Sequence, residues 1–153
     1  MFVCHGNICR STMAEFVMKD MLEKAGLEYK VAVASSATST EEIGNPVHYG
    51  TRRLLERHGI SCEGKRAVQL KRSDYDRYDL FIGMDSANIR NMRRMLGGDV
   101  QGKVAKLLQF SEGTGAEAAS DVADPWYTGD FEATWRDVVA GCGALLEYLR
   151  ERL

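Results

Sequence analysis

Met1-Phe2-Val3-Cys4-His5-Gly6-Asn7-Ile8-Cys9-Arg10-Ser11 opens the chain, and its reading decides the rest. Three apolar, β-favouring residues form the stub of a strand and run into a cysteine. Five residues separate that cysteine from an arginine at the mouth of a helix. Ser11 and Thr12 are N-cap candidates, and Thr12-Met-Ala-Glu15 fits a capping box. Met13, Val17, Met21 and Ala25 then share one helical stripe, with Gly26 placed to end it.

Further along, the alternation of strand and helix continues. Residues 29–34 read as a second strand, and Val47, Thr51, Leu54, Leu55 and His58 as a second helix closed by Gly59. Residues 79–83 are a short apolar run suited to a buried parallel strand. Asp85 is placed to cap a helix carrying Ile89, Met92 and Leu96. A fourth strand is expected over 104–108, then a polar loop over 111–123. Phe131, Trp135, Val138, Val139, Cys142, Leu145, Leu146 and Leu149 close the chain as a strongly periodic helix. This order predicts an α/β sandwich of three layers, a parallel sheet covered by helices on both faces with right-handed crossovers. Ligands in such folds sit beyond the carboxyl ends of the strands, so the loop after the first strand is the expected site.

The chain has 153 residues, 44% hydrophobic and 27% charged, which suits one globular domain over 1–153 and argues against global disorder. A formal net charge of -2 points to neither nucleic acid nor an anionic membrane as partner. The basic pairs at Arg52-Arg53, Lys65-Arg66, Lys71-Arg72 and Arg93-Arg94 read as solvated faces. No apolar run approaches the ~20 residues of a membrane span, and the N-terminus lacks the regions of a signal peptide, so a cytoplasmic location is expected. The four cysteines show no CxxC spacing and only three histidines accompany them, so no metal and no cofactor are expected.

The loop itself reads as an anion cradle. Gly6 and Asn7 are the residue types that best tolerate the positive φ needed to curl backbone N–H groups inward. The helix end adds unpaired donors and partial positive charge. The same field favours the thiolate of Cys4, a nucleophile. Arg10 offers a planar fork to two phosphoryl oxygens, and Ser11 can donate to the sulfur. His5, Gly6, Asn7, Ile8, Cys9 and Arg10 are thus the expected phosphate-binding residues, with Cys4, Arg10 and Ser11 catalytic. A cysteine at a strand end is ordinarily a small core hydrophobe. Here the strand before, Gly-Asn within, and arginine and serine after support the chemical reading.

These residues, with Met13-Ala-Glu15, Arg57-His-Gly-Ile60, Tyr78-Asp79, Met84-Asp85, Asn88 and Asp124-Pro-Trp-Tyr127, closely resemble the low-molecular-weight protein tyrosine phosphatases over essentially the whole chain. The resemblance implies a four-stranded parallel sheet of flavodoxin-like phosphatase type, and no metal. It also implies hydrolysis of protein phosphotyrosine and aryl phosphates through a phosphocysteine on Cys4. Phosphotyrosine-containing proteins are then the expected partners, phosphate or a similar oxyanion the loop's ligand, and a monomer the expected state.

A departing phenolate has a conjugate acid of pKa ~10, so a carboxyl facing the cradle should help by ~10²–10⁴. Asp124 is the first candidate because Pro125 stiffens the backbone after it; Asp121 and Asp130 are alternatives, and Asp-Pro is by itself usually a turn. The resemblance implies Asp124, which would later act as base on water. Trp126 and Tyr127 are read as walls for the substrate ring, with a hydrophobic plug as the other reading of Trp126. His5 and Glu41 are expected at the pocket, while His48 and His58 read as structural. Cys9, five residues from Cys4, is a candidate for a reversible protective disulfide with it; Cys62 and Cys142 read as inert.

Departures from the family pattern concern the pocket more than the chemistry. His5 stands where leucine is common, Glu41-Glu42 where some relatives place an aromatic wall, and Lys65-Arg66-Ala67-Val68 where His-x-Ala-Arg is frequent. The first strand is also short by a few residues, which leaves open a start upstream of Met1. Three other activities are weighed. Phosphoarginine phosphatases of this superfamily typically carry threonine at the Ile8 position. Thioredoxin-coupled arsenate reductases need further redox cysteines, and none lies between Cys62 and Cys142. A non-catalytic phosphate-binding module would need neither nucleophile nor acid.

Overall fold

The structure is a computed structural model and describes residues 1–153. Its sheet has four strands, β1 (Phe2–Cys4), β2 (Ser35–Ala37), β3 (Phe81–Gly83) and β4 (Val104–Lys106). All neighbours pair in parallel, in the order β2-β1-β3-β4. The helices are α1 (Arg10–Lys24), α2 (Tyr49–Arg57), α3 (Ser86–Met95), α4 (Leu107–Glu112), α5 (Pro125–Thr128) and α6 (Phe131–Arg150). Because successive strand side chains point to opposite faces, the two sides of the sheet bury different sets. Phe2, Cys4, Ile82 and Ala105 pack into the larger core with Met13, Val17 and Met18 of α1, Leu54 and Leu55 of α2, and Val138, Cys142 and Leu145 of α6. Val3, Phe81 and Val104 face the other way, onto Ile89 and Met92 of α3. This is the expected three-layer sandwich, and no helix is long and apolar enough to cross a membrane.

One glycine sets how closely the smaller layer docks. A Cβ on Gly83 would lie 2.7 Å from Met92 Cε and 3.0 Å from Asn88 Cβ, so only glycine lets α3 approach the end of β3. That approach brings Asn88 Oδ1 within reach of the N–H groups of Met84 and Asp85, at 2.9 and 3.1 Å.

Three expectations are corrected. The second strand runs over 35–37 rather than 29–34, and Tyr29, in the expected segment, is 95% exposed. The ladder to β1 begins only where Phe2 N donates to Ala34 O, and it pairs Phe2 with Ser35, Val3 with Ser36 and Cys4 with Ala37. Two serines carry no apolar signal, although both are buried. The fourth strand stops at Lys106, because its N–H turns to Gln109 Oε1 at 2.8 Å and starts α4. Finally, Ser11, Thr12 and Glu15 form no capping box. Helix α1 starts at Arg10 behind Cys9, which supplies no side-chain cap.

Candidate active site

The chain leaves β1 at Cys4, beside the point where the sheet grows outward to β2 on one side and β3 on the other. The loops beyond the carboxyl ends of the strands meet there around a cleft of about 500 Å³. Cys4, His5, Gly6, Asn7, Ile8, Cys9 and Arg10 all line it. So do Glu41 and Glu42 from the loop after β2, Asp85 and Asn88 from the start of α3, and Asp124, Trp126 and Tyr127. Every residue expected at the phosphate loop and pocket is therefore present, with Ser11 directly behind.

Cys4 is 4% exposed, so its sulfur can be reached only through the cleft. The N–H of Asn7 donates to Sγ at 3.3 Å, a contact made possible because Asn7 takes φ 60. Asn7 is the one non-glycine residue in that region, while Gly6 does not need it. The curl expected of two residues is made by one. Ser11 Oγ stands 3.0 Å from Cys4 Sγ. The first turn of α1 contains no acidic residue and its cap is a cysteine that makes no side-chain cap bond, so no side chain of the helix itself occupies that end.

A buried polar network lies beneath the loop. Asn7 Nδ2 donates to Ser11 Oγ at 2.8 Å and to Ser35 Oγ at 2.9 Å, and Asn7 Oδ1 accepts from Val68 N at 3.1 Å. Ser35 in turn donates to the buried carboxylate of Glu15. Asn7 fills one lone pair of Ser11 Oγ and leaves its proton available, and a Cys4 thiolate, which can only accept, would take it. Glu15 is answered by Lys19 at 2.6 Å and Lys65 at 3.3 Å, and Lys65 also holds Ser35 O at 2.9 Å. Ser35, Glu15 and Lys65 were not among the residues expected to matter here. Glu15 shows in the sequence only as a false cap partner of Thr12 and within a family stretch, and Lys65, read as part of a solvated basic pair, is instead turned inward to Glu15.

Arg10 is 3% exposed, and both of its terminal nitrogens have partners. One terminal nitrogen donates to Asp85 Oδ2 at 2.8 Å and to Val122 O at 3.2 Å; the other donates to Asp124 Oδ2 at 3.2 Å. Of five N–H donors, Nε–H and one terminal N–H stay free for an anion. Burial works against the guanidinium, but the charges of Cys4, Asp85 and Asp124 outweigh it and raise Arg10 above its ordinary range. Cys9 is different: burial, then the charge of Cys4, push its thiol up to about 12, so it is held as a thiol. Burial alone raises Cys142 further.

The three candidate acids separate by position. Asp121 lies outside the cleft and is spent on Lys106 Nζ at 2.9 Å and Ser86 N at 3.2 Å. Asp130 caps α6 through Ala133 N at 3.0 Å. Asp124 lines the cleft, with Oδ1 accepting from Trp126 N at 3.1 Å and Oδ2 turned to Arg10. Trp126 and Tyr127 are 59% and 85% exposed, which rules out a buried plug and leaves them as rim walls. His48 caps α2 and stacks on Phe131 at 5.2 Å, and His58 stacks on Trp135 at 4.2 Å; both are structural, as expected.

Comparison with known proteins agrees with this geometry over the full length. The family model for low molecular weight phosphotyrosine protein phosphatase matches residues 1–153. The low molecular weight protein-tyrosine-phosphatase YfkJ of Bacillus subtilis is 40% identical over 151 residues, covering 99% of this chain and 95% of that protein. The counterpart named PtpA in Staphylococcus epidermidis is 37% identical over 148 residues, covering 97% and 91%. The crystal structure of YfkJ superposes with a TM-score of 0.92 over 99% of this chain and 93% of that one. For SP-PTP of Streptococcus pyogenes, 40% identical, the TM-score is 0.82 with 97% and 90% covered. A sulfur at the end of the first strand, held by the Asn7 N–H and sharing its cleft with a buried arginine, thus has its explanation in descent: the chain belongs to the low molecular weight phosphotyrosine protein phosphatases.

Proposed function

We propose that residues 1–153 act as one domain that hydrolyses phosphotyrosine in proteins, and aryl phosphates, through a phosphocysteine on Cys4. The observation that carries this reading is the sulfur itself: it lies at the floor of the cleft, 3.3 Å from the Asn7 N–H and 3.0 Å from Ser11 Oγ. A phosphate monoester enters with its non-bridging oxygens on the loop N–H groups and on the two free N–H groups of Arg10. Cys4 attacks phosphorus in line, the P–O bond to the ring breaks, and Asp124 gives its proton to the departing phenolate oxygen. In the second step Asp124, now a carboxylate, takes a proton from water; that water displaces the sulfur, and phosphate leaves. Ser11 supports the thiolate twice, as attacker and then as leaving group.

Arg10 is held by two carboxylates, so its fork is aimed before substrate arrives and little reorganisation is needed. The exposed walls at Trp126 and Tyr127 suit an aromatic ring, which an alkyl phosphate such as phosphoserine does not offer them. The test is turnover of p-nitrophenyl phosphate without added metal. Wild-type protein should turn over, and Cys4→Ser should not; turnover surviving that change would refute the assignment.

A further inference from the structure

The mouth of the cleft carries more negative charge than the hydrolysis uses. Asp85 and Asp124 are both answered by Arg10, at 2.8 and 3.2 Å. Glu41 faces His5 Nε2 at 3.0 Å in an exposed pair. Glu42 has only a neutral partner, its Oε2 accepting from Asn45 Nδ2 at 2.6 Å. It stands close to the phosphate loop, since its Cγ lies 3.4 Å from where a Cβ on Gly6 would be. The wall that would grip the ring of a substrate thus has one carboxylate unneutralised and a second held by a single exposed histidine.

A dianion bound at Cys4 is repelled by these two carboxylates whatever chain it hangs from, so that repulsion discriminates nothing. Charge on the residues next to the phosphotyrosine does discriminate. A cation there meets Glu42 and Glu41 and relieves the repulsion; an acid there adds to it. We propose that Glu42, with Glu41 beside it, is a specificity determinant that selects phosphotyrosine flanked by lysine or arginine over phosphotyrosine flanked by acidic residues. This rests on the phosphotyrosine reading above and adds the substrate class.

The experiment compares kcat/KM for two phosphotyrosine peptides identical except for lysine or glutamate on both sides of the phosphotyrosine, with p-nitrophenyl phosphate as reference. At low ionic strength the lysine peptide should be preferred about fivefold or more, as expected for exposed charge pairs. The preference should shrink at about 0.5 M salt, where screening is short-ranged. It should fall toward unity in Glu41→Gln/Glu42→Gln and invert in Glu42→Lys. Equal rates on the two peptides, a preference for glutamate, or a lysine preference unchanged in the double variant would each overturn the assignment. Hydrolysis of p-nitrophenyl phosphate with neither peptide cleaved would instead overturn the protein-phosphotyrosine reading.

Discussion

Ser11 is the residue on which the proposed chemistry of the sulfur most depends. Its hydroxyl accepts from Asn7 and lies 3.0 Å from Cys4 Sγ, so it keeps a proton to donate once the sulfur is a thiolate. A hydrogen bond to a charged group is worth about 1.5–3 kcal/mol. Ser11→Ala should therefore lower kcat about tenfold to hundredfold with a smaller change in KM, measured on p-nitrophenyl phosphate; unchanged kcat would contradict the role. Asp124 is tested by leaving group. In Asp124→Ala, the loss of kcat/KM, which reports the first phosphoryl transfer and not the clearing of the intermediate, should reach about 10²–10⁴ for a phenyl ester, whose leaving oxygen needs the proton, and be clearly smaller for p-nitrophenyl phosphate. Equal loss of kcat/KM on both would move the acid elsewhere, with Asp85 the other aspartate lining the cleft.

At the scale of elements, the site depends on helices seated tightly against the sheet and against each other. Gly141 lies in α6, where glycine ordinarily costs about 1 kcal/mol relative to alanine. A Cβ there would stand 2.5 Å from Leu107 Cγ of α4, so close packing is the reason for it. Gly141→Ala should destabilise by about 1–3 kcal/mol in urea unfolding, the usual range for overpacking; an unchanged or raised midpoint would contradict the packing argument. The elements themselves were legible unevenly. Apolar periodicity revealed α1, α2, α3 and α6, and the short apolar runs revealed β1 and β3. Strand β2 escaped because its register is carried by Ser35 and Ser36, buried by pairing rather than by apolarity. The single turn of α5 escaped because Asp-Pro signals a turn equally well, and only the bond from Trp126 N to Asp124 shows a cap. Of the site, residues adjacent in sequence were legible from strand, loop and helix chemistry. Asp124, Trp126, Tyr127 and the Glu41-Glu42 pair came from the family resemblance, and Ser35 and Lys65 from neither, since only the fold brings them under the loop.

For the whole molecule, acid stability should be set partly at Asp99, which ties the approach to β4 together. Its carboxylate accepts from Lys103 N at 2.7 Å, Val104 N at 3.0 Å and Tyr75 Oη at 2.7 Å. Burial disfavours its charge, but the Tyr75 hydrogen bond and those backbone N–H groups outweigh burial and hold Asp99 below the usual carboxylate range. Its contribution is therefore complete above the unfolded value of ~3.9 and lost as pH falls through the lower folded value. Thermal unfolding followed from pH 6 to pH 2 should show a steeper loss below about pH 4 in wild type than in Asp99→Asn; parallel curves would contradict this. The cleft, the sheet end and the distant Asp124 loop act together only during turnover, and acid-quenched turnover tests them most directly. Asp124→Ala mixed with p-nitrophenyl phosphate and quenched should carry one phosphoryl group on Cys4 and none on Cys9, because the acid is dispensable for this leaving group while the base that clears the intermediate is gone. A protein that turned over the ester with no phosphoryl group ever trapped on Cys4 would contradict the account.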